Sequence, residues 1–171
     1  MTLRIPLMLL VLATLAGCAA KVHRVMVDPA RLAVPAMATL ACAYRLHDVV
    51  DTRPPSERSG GLGKHLFLFD DLPGLVRKQF EKAGLTAQLD GPVVDVRILQ
   101  FYLAQNTITK VPVAVYEVRI DGGIPFLVRS QKASMNWNGT ENEAYQAYAG
   151  VLADASGQVV AWLNKGCVKP G

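Results

Sequence analysis

Apolar and polar residues alternate in four stretches of the chain, and this period of two predicts four half-buried β-strands. The first stretch covers residues 38–50, the second 93–103 and the third 111–121, and the fourth begins at Pro125. A loop rich in glycine and serine follows the first strand.

Two other stretches repeat their apolar residues every three or four positions, which predicts amphipathic helices. The first helix covers residues 72–83 and follows two candidate N-cap residues, Asp70 and Asp71. The second helix starts at a capping box formed by Thr140 and Glu143. The order β-α-β-β-β-α predicts an α+β fold, in which a four-stranded, mostly antiparallel sheet carries both helices on one face.

One antiparallel register of the second and third strands, in which the numbers of facing residues sum to 214, satisfies both their charges and their apolar residues. Asp95 then faces Arg119 and Arg97 faces Glu117, while the opposite face is wholly apolar. For the fourth strand, a pairing that sums to 246 is expected, and a bulge near Gln131 would turn the later apolar residues inward.

The N-terminus predicts export and lipidation. Arg4 precedes an apolar run over residues 5–15, which is too short to span a membrane. The sequence Leu15-Ala16-Gly17-Cys18 then resembles the lipobox of bacterial lipoproteins, in which small residues admit the peptidase and the cysteine carries the acyl chains. We therefore expect a signal peptide (1–17), a lipidated tether (18–37) and one periplasmic domain (38–171). Ala19 resembles the residue that sends such proteins to the outer membrane.

Two cysteines remain once Cys18 is assigned to lipid. Cys42 and Cys167 bracket the folded region, and the predicted strand directions bring both to the same end of the sheet. We expect a disulfide in the oxidising periplasm, with two unpaired thiols as the alternative.

Short sequence features resemble a known family. The strand end Val50-Asp51-Thr52-Arg53, the Leu62-Gly63 loop and the helix end Ala83-Gly84-Leu85 resemble the YajG-type lipoproteins of Gram-negative bacteria. The order of elements is also similar to the auxiliary lipoproteins of envelope lipid-transport ABC systems. The YajG-type resemblance implies an outer-membrane α+β lipoprotein without catalysis.

Composition and motifs exclude several functions. Hydrophobic residues make up 51% of the chain, which is typical of a folded domain, and the net charge of +4 comes without a basic run, which argues against nucleic acid. No motif of a metalloprotease, serine hydrolase, nucleotide-binding or redox site occurs, so we expect no enzyme, cofactor or metal site. His47, Asp48 and Asp51 are interpreted as surface residues, with an exposed Asp51–Arg53 ion pair.

These features together predict a non-catalytic binding or structural module of the cell envelope, anchored to the membrane through Cys18. The alternative is an accessory protein for lipid or lipopolysaccharide transport. The partner would be an envelope protein or a lipid. The register that sums to 214 places four large apolar residues on the outer face of the sheet, namely Leu99, Phe101, Val113 and Val115. We expect them to form an apolar docking patch. The alternative is that the tether folds back and covers them through Val34 and Met37.

Overall fold

The computed structural model describes residues 23–55, 60–62, 65–105, 110–130 and 140–167. Within these residues the chain forms seven strands and two α-helices, besides a short 3-10 turn at Pro29–Arg31. In chain order they are β1 (His23–Met26), β2 (Arg45–Asp51), β3 (Gly60–Leu62), β4 (His65–Leu68), α1 (Leu72–Lys82), β5 (Val93–Gln105), β6 (Lys110–Ile120), β7 (Phe126–Arg129) and α2 (Glu141–Gly166).

The main sheet has the order β2-β5-β6-β7 and confirms the predicted α+β architecture. β2 and β5 run parallel, as a strand–helix–strand crossover requires, and the other neighbours are antiparallel. Asp95 pairs with Arg119 and Arg97 with Glu117, so the 214 register is confirmed for the first half of β5.

The predicted register between β6 and β7 is wrong by two residues. Phe126 pairs with Val118 rather than with Ile120. The cause is the tight turn at Asp121 and Gly122, where both residues have positive φ and the N–H of Gly123 donates to the carbonyl of Ile120. The expected bulge near Gln131 lies outside the described residues.

A second, smaller sheet with the order β1-β4-β3 was not predicted from the sequence. β1 lies in the segment expected to be a tether, β3 lies in the expected glycine-rich loop, and β4 lies in a stretch for which no element was predicted. From His23 onward the supposed tether is therefore part of the folded body, and its side chains Val27 and Leu32 are buried in the core.

The N-terminal segment then runs along α2 toward its C-terminus. The N–H of Asp28 donates to the Tyr145 hydroxyl near the start of that helix. Near its end, the Asn164 amide donates to the carbonyl of Thr39 and accepts from the N–H of Ala41. Residues 38–44 are consequently held as a loop against the helix, which is why β2 begins only at Arg45.

Local signals explain where both helices begin. The Asp71 carboxylate accepts from the N–H of Gly74 and caps α1, so Asp71 rather than Asp70 is the N-cap. Thr140 and Glu143 form the predicted capping box of α2. The apolar stripes of both helices pack on one face of the main sheet and form a single core with it.

Candidate functional site

The predicted docking patch is not an exposed surface, and for Phe101 the cause is a bulge at Leu99 in β5. The ladder passes from the Ile98–Tyr116 pair to the Gln100–Val115 pair, so one extra residue is inserted in β5. A one-residue shift exchanges the two faces of a strand. Phe101 therefore points into the core and is only 1% exposed.

Phe101 lies inside an aromatic cluster rather than at the surface. Its ring stacks on Tyr148 with the centroids 5.7 Å apart and meets Phe69 edge-on at 5.2 Å. Tyr148 also contacts Phe67 of β4 at 5.7 Å. This cluster joins the small sheet to α2 and to the distal half of β5.

The other three patch residues are not open to solvent either. Val113 and Val115 are buried although they lie outside the main core cluster, and Leu99 is half-buried. The alternative in which the tether covers this face is also wrong. Val34 lines a groove beside α1 and Met37 lies against Gly157 of α2, so this segment packs on the helical side of the sheet.

The predicted disulfide is confirmed. Cys42 and Cys167 are bonded, with their Cα atoms 5.8 Å apart. The bond ties the loop before β2 to the residue that follows α2. Cys18, the predicted lipidation site, lies outside the described residues.

The acidic residues of β2 have separate partners and form no common site. Asp48 lies 3.5 Å from the Arg77 guanidinium, and His47 Nδ1 lies 2.8 Å from an oxygen of Asp95. In the described part of the chain, no group of three or more metal-binding side chains occurs.

The predicted Asp51–Arg53 ion pair exists, but the expectation that it is exposed is wrong. Arg53 is only 3% exposed. Its Nε and Nη2 donate to the two Asp51 carboxylate oxygens at 2.9 and 2.7 Å, and Nη1 donates to the Phe101 carbonyl at 2.9 Å. The pair joins the end of β2 to β5, which is a structural role.

Near Arg53, the core contains hydroxyl groups on α2 and β6. Burial raises the pKa values of Tyr116 and Tyr148 well above the ordinary range. The Ser156 hydroxyl beside Tyr116 and the nearby Arg53 charge favour the ionised phenol, but burial has the larger effect. Both phenols therefore stay neutral at any physiological pH.

Among the described residues, three large apolar side chains are exposed at or next to β7, the edge strand of the main sheet. Ile124 is 94% exposed, Leu127 66% and Trp162 of α2 43%. The Trp162 ring stacks on Phe126 with the centroids 3.8 Å apart. We call Ile124, Phe126, Leu127 and Trp162 the β7-edge cluster.

The β7-edge cluster adjoins a groove and an open strand edge. The groove between β7 and α2 has a volume of about 300 Å³ and is bordered by Gln158 and Lys165. β7 is the outermost strand of the main sheet, and no described strand pairs with its other edge. Arg129 at the end of β7 is exposed, so two cations flank the apolar surface.

Sequence reasoning missed this cluster, although one signal was available. Trp162 lies beside the apolar stripe of α2 rather than within it, and a tryptophan outside the stripe indicates an exposed aromatic surface. The exposure of Leu127 had no such signal, because it depends on β7 being an edge strand.

The outer face of the main sheet carries a chain of ion pairs between β5 and β6. Glu117 lies 3.3 Å from both Arg97 and Arg119. Partial desolvation opposes ionisation of Glu117, but the hydrogen bonds from the two guanidinium groups outweigh it and lower the pKa of the carboxyl. This part of the outer face is therefore polar, and Leu127 of β7 lies beside Glu117 on it.

No protein-family model matches the chain, and no curated protein matches it significantly. In the described residues, no helix combines the length and apolar character needed to cross a membrane. The resemblance to YajG-type lipoproteins stays a prediction.

Proposed function

We propose that this protein is a lipoprotein of the outer membrane, anchored through Cys18 and facing the periplasm, that acts as a non-catalytic binding module of the cell envelope. The lipobox at Leu15 to Cys18 supports the anchor. The Cys42–Cys167 disulfide supports an oxidising compartment, since such bonds persist outside the cytosol.

The observation that carries the binding role is the exposed β7-edge cluster. An isoleucine, a leucine and a tryptophan are exposed around one strand edge, with Leu127 on the outer face of the sheet and Trp162 on the helical face, and such exposed apolar surface is typical of a binding site. No described strand pairs with the outer edge of β7, so its backbone N–H and C=O groups on that side can receive an added strand, and the neighbouring apolar groove accepts side chains. The occupant that fits both features is an extended segment of another protein, added as a strand beside β7.

The positive charges beside the β7-edge cluster indicate which residues the bound segment contains. The exposed cations Arg129 and Lys165 flank the cluster, so a segment with acidic residues beside its apolar ones is complementary. The partner is therefore an envelope protein with an extended, acidic and apolar stretch.

The test uses a photocrosslinking amino acid at Ile124 in cells that express the full chain. We expect one defined crosslinked envelope protein, and we expect Leu127→Glu to abolish the adduct because it places a negative charge in the apolar surface. Val50→Glu is the matched control, since Val50 is also exposed on the main sheet but lies on the β2 edge. An adduct that survives Leu127→Glu would contradict the proposed site.

The anchor is tested separately by fatty-acid labelling. Wild-type protein should incorporate the label, and Cys18→Ser should remain an unacylated precursor. A wild-type protein without label would refute the lipoprotein assignment and leave the β7-edge result unaffected.

Lipid handling is the second candidate function, and one groove favours it. A cavity of about 790 Å³ lies between the N-terminal segment and α1, with Leu32 and Leu75 among its apolar walls and Lys78 and Lys82 among its charged ones. A phospholipid that co-purifies with the protein and is lost in Leu75→Glu would support this role over protein binding.

A further inference from the structure

The folded body begins very close to the proposed lipid anchor. β1 starts at His23, where it already pairs with His65 of β4. Only five residue steps separate His23 from Cys18, and a fully extended chain of that length spans at most ~18 Å. If Cys18 carries acyl chains, as the proposed function holds, the small sheet lies at the bilayer surface.

The two faces of the small sheet differ in their surroundings. Phe67 of β4 is buried and contacts Tyr148, and its partner Val25 packs against the core. Side chains alternate along a strand, so the residues between them point away from the core. Those residues form the outward face of the small sheet, which comprises Arg24, Met26, Leu66 and Leu68.

The outward face is apolar with a cation at its edge. Met26 is 58% exposed, and Leu66 and Leu68 are half-buried without belonging to the core. The ladder pairs Arg24 with Leu66 and Met26 with Leu68, so these four side chains form one contiguous surface.

We propose that the outward face of the small sheet is a membrane-contact surface, resting on the same bilayer that holds the Cys18 lipid. Methionine and leucine side chains enter the boundary between headgroups and acyl chains, while a guanidinium pairs with lipid phosphate. The short connection to Cys18 selects the bilayer over a protein partner, because it holds the small sheet within ~18 Å of the lipid anchor.

This orientation also presents the β7-edge cluster to the periplasm. The small sheet contacts α2 at Tyr148, whereas Trp162 lies 14 residues further along the same helix, or roughly 21 Å at 1.5 Å per residue. The membrane-contact surface and the partner-binding surface are then at different ends of the molecule.

The test measures the depth of two surface positions in the mature, acylated protein. Single cysteines at Met26 and, as a control of similar exposure, at Leu127 are labelled with a fluorophore, while the Cys42–Cys167 disulfide is left intact. The protein is reconstituted into vesicles of phosphatidylethanolamine and phosphatidylglycerol (3:1) that contain a lipid with a spin label near the headgroup. We expect quenching at position 26 to exceed that at position 127 at least threefold.

A second labelled site on the same face tests whether the quenching at position 26 is caused by the substitution itself. Arg24→Cys lies on the same face and should be quenched like Met26→Cys. Equal quenching at positions 26 and 127, or no quenching at 24 and 26, overturns the proposal.

The mass of the Cys18 peptide, measured on the same sample, separates this failure from that of the proposed function. Acylated protein with unquenched probes refutes only the membrane-contact surface. Unacylated wild-type protein refutes the anchor, and with it the premise of this inference.

Discussion

Replacing both Cys42 and Cys167 by serine should lower the free energy of unfolding by about 3 to 5 kcal/mol. The two cysteines are separated by 125 positions, and the chain-entropy model gives ~5 kcal/mol for closing a loop of that length in the unfolded chain. The native state should change little, because Asn164 binds the backbone of Thr39 and Ala41 beside the disulfide. The loss therefore comes mainly from the greater freedom of the unfolded chain.

The assay is urea unfolding followed by circular dichroism, on protein in which Cys18 is also serine. The protein with an intact Cys42–Cys167 disulfide is compared with the variant in which both cysteines are serine. The same disulfide-containing protein treated with a reductant is the control for the two substitutions. The slope of the transition should rise in the double variant, since an uncrosslinked denatured chain exposes more surface. A loss below about 1 kcal/mol with an unchanged slope would refute the argument that the bond acts by constraining the unfolded state.

Two further predictions concern β5 and β6. Phe101→Ala should lower the free energy of unfolding, measured in urea, by about 3 to 5 kcal/mol because the ring is fully buried. The surface variant Leu127→Ala should change it by no more than about 0.5 kcal/mol. A small loss for Phe101→Ala would mean that the bulge in β5 is absent. The lowered pKa of Glu117 means that the folded state favours its carboxylate, so its contribution to stability is present above the unfolded pKa of about 4.3 and is lost as pH falls through the folded pKa. An NMR titration should find the carboxyl pKa below that of a model peptide in the wild type and closer to it in Arg119→Ala; an unshifted wild-type value would contradict the Arg97 and Arg119 contacts.

Local and pairwise patterns in the sequence were sufficient for much of the fold. Thr140 and Glu143 are three residues apart, so their capping box depends only on the chain next to them. The pairing of Asp95 with Arg119 followed because charge complementarity and the apolar face agree on one register. The disulfide could be predicted as well, since the directions of the strands and of α2 place both cysteines at one end.

The tertiary structure alone decided the bulge in β5 and the small sheet. The bulge at Leu99 reverses the faces of the distal half of β5, and the strand's alternating pattern reads equally well on either side of it. The small sheet consists of strands of three or four residues, too short to show a period, and it is stabilised by packing on Tyr148.

The burial of Arg53 and the exposure of the β7-edge cluster both depend on how distant segments of the chain pack together. The sequence by itself determined the two helices and the strands of the main sheet, because hydrogen bonding, capping and amphipathic period act over a few neighbouring residues. The structure decided which of those elements lies at an edge and which is covered, because that depends on contacts between segments far apart in the chain. Arg53 is covered because β5 passes beside the end of β2, and Leu127 is exposed because it lies on the outer face of the sheet, opposite the helices, in a strand that no described strand follows.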